Sequence, residues 1–214
     1  KIKARLGHQL DIAVRMNAYD SVPYPYGWGV SKDDFLKPDL TEPIKLVKIL
    51  YDKGVKLINI STGNPYYNPH VGRPYDIGYY IPPEHPLEGT ARMLDIIKQI
   101  QQSVPDMVVM ATGFSWLREF APYVAAGGIQ EGWFTIAGFG RQAFAYPDFA
   151  KDIITKGAMD RRKCCIACSK CSEIMRDGGK AGCVIKDAKI YAPIYKEGRK
   201  GKPEIDRNRV AYHV

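Results

Sequence analysis

The stretch GWFTIAGFGRQAFAYPDF, Gly132–Phe149, decides how the chain is read. Trp133–Ala137 is apolar apart from Thr135, the pattern of a buried parallel strand. It runs into Gly138-Phe139-Gly140-Arg141, where two glycines let the backbone pass close to something and an arginine follows at once. A helical stretch comes next, and Pro147-Asp148 opens a further helix expected to run through Ile154. A strand that ends in a glycine turn and feeds a helix offers free N–H groups and a positive dipole end to an anion. An ordinary strand-to-helix turn has the same local sequence, so the reading depends on the rest of the chain.

Working outward, the same unit recurs. Asp11–Asn17 reads as a strand with Arg15 near its C-terminal end, followed by a Tyr/Pro/Gly loop, Asp20–Gly29, too rich in aromatics to be a bare linker. Asp39-Leu40-Thr41 caps a helix with Ile44, Leu46, Val47, Leu50 and Tyr51 on one face, and Gly54 ends it. Val55–Ile60 is the next strand. Ser61–Gly89 reads as a long loop carrying Tyr66, Tyr67, His70, Tyr79, Tyr80 and His85, a length usual for lids and binding loops. A helix follows from about Thr90 to Ser103, then strand Met107–Ala111, then a turn through Thr112-Gly113-Phe114-Ser115 into a helix through Val124.

Four strand–helix units with short buried strands predict a parallel sheet wrapped by helices. Polar and glycine residues gather at the strand C-termini: Arg15, Ser61-Thr62-Gly63, Thr112-Gly113 and Gly138–Arg141. That placement points to an α/β fold of the (β/α)8 barrel type, whose chemistry sits at that face and whose last two loops commonly hold a phosphate. A doubly wound open sheet is the alternative. Four units make half a barrel.

Bulk composition narrows the function. With 214 residues and 45% hydrophobic content the chain can bury a sizeable core. No apolar run is long enough to span a membrane, and Lys1–Leu6 lacks the form of a signal peptide. The net charge of +8 is concentrated in Lys151–Lys202, without an aromatic platform or finger spacing, which favours a solvated basic segment over a nucleic-acid site. All five cysteines fall between 164 and 183. Such clustering suits a metal centre in a reducing, cytoplasmic compartment better than a disulfide framework. Cys165, Cys168 and Cys171, with Cys183 further on, have the spacing of an iron–sulfur ligand set. A four-cysteine zinc site and unligated thiols are the other readings. Cys164 is the spare.

In motif order and register, residues from about Asp11 to Asp187 resemble the C-terminal half of the Old Yellow Enzyme family, the FMN-dependent ene-reductases. The likeness is greatest to the branch containing 2,4-dienoyl-CoA reductase. Val14-Arg15-Met16-Asn17 resembles the family's fifth strand, whose arginine contacts the flavin's pyrimidine edge. Thr112-Gly113-Phe114 resembles the seventh-strand phosphate loop, and Gly138-Phe-Gly-Arg141 with Ala145-Tyr-Pro-Asp-Phe149 resembles the eighth-strand signature. The resemblance implies FMN, its phosphate held at Thr112, Gly113, Phe114, Gly138, Gly140 and Arg141, with Arg15 at the ring. It implies a [4Fe–4S] cluster on Cys165, Cys168, Cys171 and Cys183, and makes Tyr67 and His70 candidates for catalytic contact with substrate. The expected organisation is a half-barrel over residues 1–158 and a basic, cysteine-rich extension over 159–214.

The departures are specific. The family's first four strands, and with them the paired histidine or His/Asn substrate anchor, have no counterpart here. The second-to-third cysteine gap has two residues where the dienoyl-CoA reductase pattern has three. The chain is therefore expected to be incomplete alone: a fragment, or one of two chains completing a barrel. The expected partners are NAD(P)H, a small unsaturated substrate, the missing N-terminal half-barrel and a possible second copy. Rival readings are a barrel lyase or aldolase acting on a phosphorylated substrate, and a non-catalytic half-barrel subunit. The aldolase reading lacks a placed Schiff-base lysine, since Lys56 starts its strand.

Overall fold

The computed structural model describes residues 1–205 apart from 8, 77 and 79, so Tyr79 lies outside the described residues. In chain order the elements are α1 (Ile2–Leu6), β1 (Ile12–Asn17), α2 (Thr41–Asp52), β2 (Val55–Ser61), α3 (Pro69–Gly72), α4 (Pro86–Ser103) and β3 (Val108–Ala111). A 3-10 helix, Phe114–Phe120, follows, then α5 (Ala121–Gln130), β4 (Ile136–Ala137), α6 (Arg141–Ala145), α7 (Phe149–Lys156), α8 (Lys170–Arg176) and α9 (Ala188–Arg199). None of the described helices is long and apolar enough to cross a membrane. The chain groups into two compact units, one of residues 1–72, 91–112 and 127–138 and the other of the remaining segments.

The first unit holds the sheet. Its four strands are all parallel and lie in the order β1-β2-β3-β4, so neighbours in sequence are neighbours in space. A doubly wound sheet reverses its order at a switch point; these strands contain no reversal. Along β2 and β3 burial alternates with the pleat: Ile58, Ile60, Val109 and Ala111 are fully buried, whereas Leu57, Asn59, Ser61, Val108 and Met110 are only partly covered. On β1, Ala13 and Arg15 are exposed. One face of the sheet is therefore closed and the other open, which is unusual for an all-parallel sheet.

Helix α4 supplies a continuous apolar stripe, Met93, Leu94, Ile96, Ile97 and Ile100, all buried at helical spacing. Buried Gln101 closes the turn after it. Its Nε2 donates to the carbonyls of Val104, Pro105 and Met107, and its Oε1 accepts from Thr135 Oγ1 at 3.0 Å. In the Tyr/Pro/Gly loop Trp28 Nε1 donates to the Asn17 carbonyl at 2.9 Å while Tyr24 and Tyr26 are exposed; buried Tyr19, just before the loop, donates to the Leu36 carbonyl at 2.8 Å.

Several boundaries differ from the sequence reading. The stretch Trp133–Ala137 is not a strand buried on both faces. Only Ile136–Ala137 pair with β3, and Thr135 and Ile136 are exposed; among the described residues β4 has a partner on one side. Phe134 carries the burial instead. On α2 the buried positions are Pro43 and Val47, while Leu46 and Tyr51 are exposed. Helix α4 starts at Pro86 rather than Thr90, because a proline is well suited to a first helical turn. The long loop contains α3, and its start is fixed by backbone contact: Gly63 has φ 77°, and a Cβ there would lie 2.4 Å from the Gly72 nitrogen. The glycine of Ser61-Thr62-Gly63 therefore serves loop packing.

The second unit is built on aromatic clusters. Tyr75, Tyr80 and Ala167 form one, with Trp116 against it. Tyr146, Met159 and Cys164 form another, flanked by Phe149 and Ile153. In the latter, the Tyr146 hydroxyl donates to the Asp152 carboxylate, which also meets Lys156 Nζ at 2.7 Å and Lys163 Nζ at 3.7 Å. The hydrogen bond with Lys156 leads in lowering the Asp152 pKa from 3.8 to about 2. A carboxylate whose folded pKa is depressed stabilises the fold above its unfolded pKa and loses that contribution as pH falls through the folded one. Acid titration of the native protein is therefore expected to lose stability between about pH 4 and pH 2, and Asp152→Asn to flatten that part of the curve. Urea midpoints measured across this range check it; an unchanged slope in the variant contradicts it.

Candidate metal centre

The cysteines lie in the second unit, on the loop between α7 and α8, in the first turn of α8 and in the turn before α9. Two anchors set the loop's entry. Asp160 Oδ1 accepts from the Arg162 N–H at 2.9 Å, and the buried Gln142 side chain accepts from the Cys165 N–H at 3.0 Å. The chain then folds tightly. Ala167 and Ser169 have φ of 53° and 63°, left-handed conformations that cost a non-glycine residue about 1–2 kcal/mol each. Two such residues between three cysteines bend the segment round its own sulfurs. Backbone strain persists where the surroundings impose it and clusters at functional sites. Ser169 leads into α8, whose first turn carries Cys171.

Cys165, Cys168, Cys171 and Cys183 together line one pocket. Its other lining is Arg141, Lys186, the buried Ser169 and the apolar side chains of Phe144, Ile166, Val184 and Ile185. N–H groups point at the sulfurs: that of Ala167 lies 3.3 Å from Cys165 Sγ and that of Lys186 lies 3.2 Å from Cys183 Sγ. Burial pushes the Cys165 and Cys171 thiols up, against the pull of the Arg141 guanidinium. Thiols in that state hold their protons until a metal displaces them. Cys164 sits outside the pocket. It is fully buried beside Tyr146 and Met159, and burial raises its pKa as well.

The donor set is four soft sulfurs in an apolar surround, with N–H donors to thiolate positions, which suits an iron–sulfur cluster. Among the described residues no three His, Cys, Asp or Glu side chains form a group that could hold a single metal ion. A four-thiolate zinc site would draw on the same donor set.

The residues expected at a flavin are placed as follows. β3 and β4 pair with Ala111 opposite Ala137, and the Gly138 N–H donates to the Ala111 carbonyl at 2.7 Å. The two glycine turns thus leave the same end of adjacent strands. Thr112 Oγ1 is engaged, donating to the Ile60 carbonyl at 3.0 Å. Gly113, at φ 107°, opens the 3-10 helix. Phe114 is buried, its ring 5.5 Å from Phe139, which is in turn 5.0 Å from Phe149. A Cβ at Gly138 would crowd Met110 Sδ at 3.0 Å, whereas one at Gly140 would meet nothing within 4 Å. Arg141 lines the cysteine pocket. Arg15 is exposed on the open face of the sheet.

Tyr67 is half-buried, edge-on to Phe35 at 6.5 Å. His70 is buried in α3, next to Asn68, whose amide donates to the Ser21 carbonyl at 3.1 Å. Both belong to the first unit. Of the other loop residues, Tyr80 is in the aromatic cluster and His85 meets Trp116 edge-on, with ring centroids 5.5 Å apart.

One participant has no sequence signal. Arg73 Nη1 donates to Ser172 Oγ at 2.5 Å, next to Cys171, although it lies 99 residues away in the chain. No protein-family model matches the chain, and no curated protein matches it.

Proposed function

We propose that this chain is the cluster-bearing C-terminal half of an FMN-dependent (β/α)8 oxidoreductase of the ene-reductase type. The observation that carries the reading is the pocket lined by Cys165, Cys168, Cys171 and Cys183, with Arg141 in its wall. The unreversed parallel order and the uncovered sheet face support a barrel completed by further strand–helix units, from the same polypeptide or another chain. Those units would cover Ala13, Arg15, Leu57, Asn59 and Met110.

In a completed enzyme, bound FMN would supply hydride chemistry toward an activated C=C bond with NAD(P)H as the donor, and a cluster held by Cys165, Cys168, Cys171 and Cys183 would supply single-electron chemistry. The chain's own part is to hold and shield. The N–H groups of the turns after β3 and β4, at Gly113, Phe114 and Gly140, would take the flavin phosphate. The helices they open are short, so the donors matter more than any helix dipole. Arg15, at the C-terminal end of β1, would place positive charge where reduced flavin gathers negative charge. Tyr67 and His70 would serve the substrate only if the loop carrying them opens His70 from its present burial. The aldolase and non-catalytic readings leave the four-cysteine pocket without a role.

The test is the visible spectrum of the chain prepared without oxygen, joined to its N-terminal half and supplied with FMN. Bound-flavin bands with a broad blue-violet shoulder are expected. A preparation that leaves all added FMN free contradicts the flavin part of the reading.

A further inference from the structure

The hydroxyl of Ser169 is a buried donor with nothing to donate to. Ser169 lines the cysteine pocket, is only 2% exposed, and its Oγ has no hydrogen-bond partner among the described residues. Buried side-chain oxygens are almost always paired, and an orphan either costs stability or awaits a group that binds there. A serine in front of a helix usually spends its oxygen on the N–H groups of the first turn. Here it does not. At φ 63° and ψ 2° the side chain makes no capping bond, and the Ser169 carbonyl takes the Ser172 and Glu173 N–H groups instead, at 2.9 and 3.2 Å. The other lining side chains leave the hydroxyl one kind of acceptor: Arg141 and Lys186 are donors, Phe144, Ile166, Val184 and Ile185 are apolar, and the cysteine sulfurs remain. A thiol sulfur accepts weakly, whereas a metal-bound sulfur carries negative charge and accepts strongly. Gln142 is in a similar state beside Cys165: its Oε1 accepts the Cys165 N–H, and its buried Nε2 has no partner among the described residues.

We propose that Ser169 donates its hydroxyl hydrogen to a sulfur of the iron–sulfur centre held by Cys165, Cys168, Cys171 and Cys183, and that this hydrogen bond raises the centre's reduction potential. The inference rests on the cluster reading above. Ser169 stands between two of the four ligands, Cys168 and Cys171, so its hydroxyl is carried by the same short loop as the sulfurs. One added electron makes the sulfurs more negative while the serine keeps its proton, so the bond strengthens on reduction and favours the reduced form. Ser169 is a positioning residue in this role, because it acts through a sulfur and forms no bond to iron.

The test is a mediated dithionite titration, followed by electron paramagnetic resonance, of the full chain reconstituted anaerobically with ferrous iron and sulfide. Ser169→Ala is expected to load iron as the native chain does and to shift the reduction equilibrium at least threefold toward the oxidised form, about 28 mV more negative for a one-electron couple. Without iron, the same variant is expected to keep or raise the urea midpoint, because a hydrogen replaces an unpaired hydroxyl. A loaded Ala variant whose potential is unchanged or raised overturns the inference and leaves the cluster reading standing. So does an iron-free Ala variant of lowered midpoint, since the hydroxyl then has its partner within the fold. If Ser169→Ala does not load, Ser169→Gly decides, because it also lacks the hydroxyl and adopts a φ of 63° freely. A lowered potential in that variant supports the hydrogen bond; an unchanged potential, or a second failure to load, overturns it. Failure of the native chain to load iron overturns the cluster reading and this inference together.

Discussion

Cys171→Ala is expected to abolish cluster assembly, while Cys164→Ser leaves it intact. The two residues lie seven positions apart in the same cysteine-rich segment, and both thiols are shifted upward by burial. Their spacing already makes Cys164 the spare, and the surroundings agree: Cys171 opens onto the pocket from the first turn of α8, and Cys164 packs against Tyr146 and Met159. Losing one of four thiolates leaves an iron without its ligand and the strained turns at Ala167 and Ser169 without the group that offsets them. Reconstituted Cys171→Ala should therefore retain less than about a tenth of the native iron and lose the blue-violet absorbance. Cys164→Ser should keep both, with a modest loss of stability from placing a hydroxyl in an apolar cluster. Equal iron in the two variants would mean that the pocket is not the binding site.

The second large effect is on stability. Phe134 is buried in the first unit, and its ring lies directly over Gly128 in α5, where a Cβ would come within 2.4 Å of Phe134 Cζ. Phe134→Ala is expected to cost about 3–5 kcal/mol, a large share of the roughly 5–15 kcal/mol that holds a domain together. Gly128→Ala in the native background is expected to cost about 1–3 kcal/mol by overpacking. In the Phe134→Ala background the same change has room, and the helical preference of alanine over glycine turns it to a gain of about 0.5–1 kcal/mol. A double-mutant cycle by urea denaturation reads this coupling. The same cost for Gly128→Ala in both backgrounds would contradict the contact.

The sign of that coupling also explains why part of the fold was legible and part was not. The four strands, their parallel order and the polar turns at their C-terminal ends could be read because each is a local pattern: β-branched runs ended by glycine, followed by helical spacing. The length of β4 could not. Trp133–Ala137 looks like a buried strand, but burial there depends on which face is covered and on a neighbour at the sheet edge. The chain places Phe134 over Gly128 and leaves Thr135 and Ile136 exposed. Gln101, an ordinary polar residue on α4, proves to be the bond between that helix, the turn after it and Thr135.

The candidate site divides in the same way. The Cys165–Cys168–Cys171 spacing and the later Cys183 announce a four-sulfur pocket, and the spare Cys164 falls outside it. The left-handed turns at Ala167 and Ser169 carry no sequence signature, since neither residue favours that conformation. Arg141 could be recognised as a cation after a glycine turn. Its direction depends on the rotation of the short helix α6, which local sequence leaves open. Arg73 joins the site only through the tertiary fold.

The most direct test of the central claim is chemical analysis of the native chain after anaerobic reconstitution and desalting. A [4Fe–4S] centre on the four cysteines predicts about four irons and four acid-labile sulfides per chain. One zinc per chain with no labile sulfide, or no retained metal at all, would contradict it.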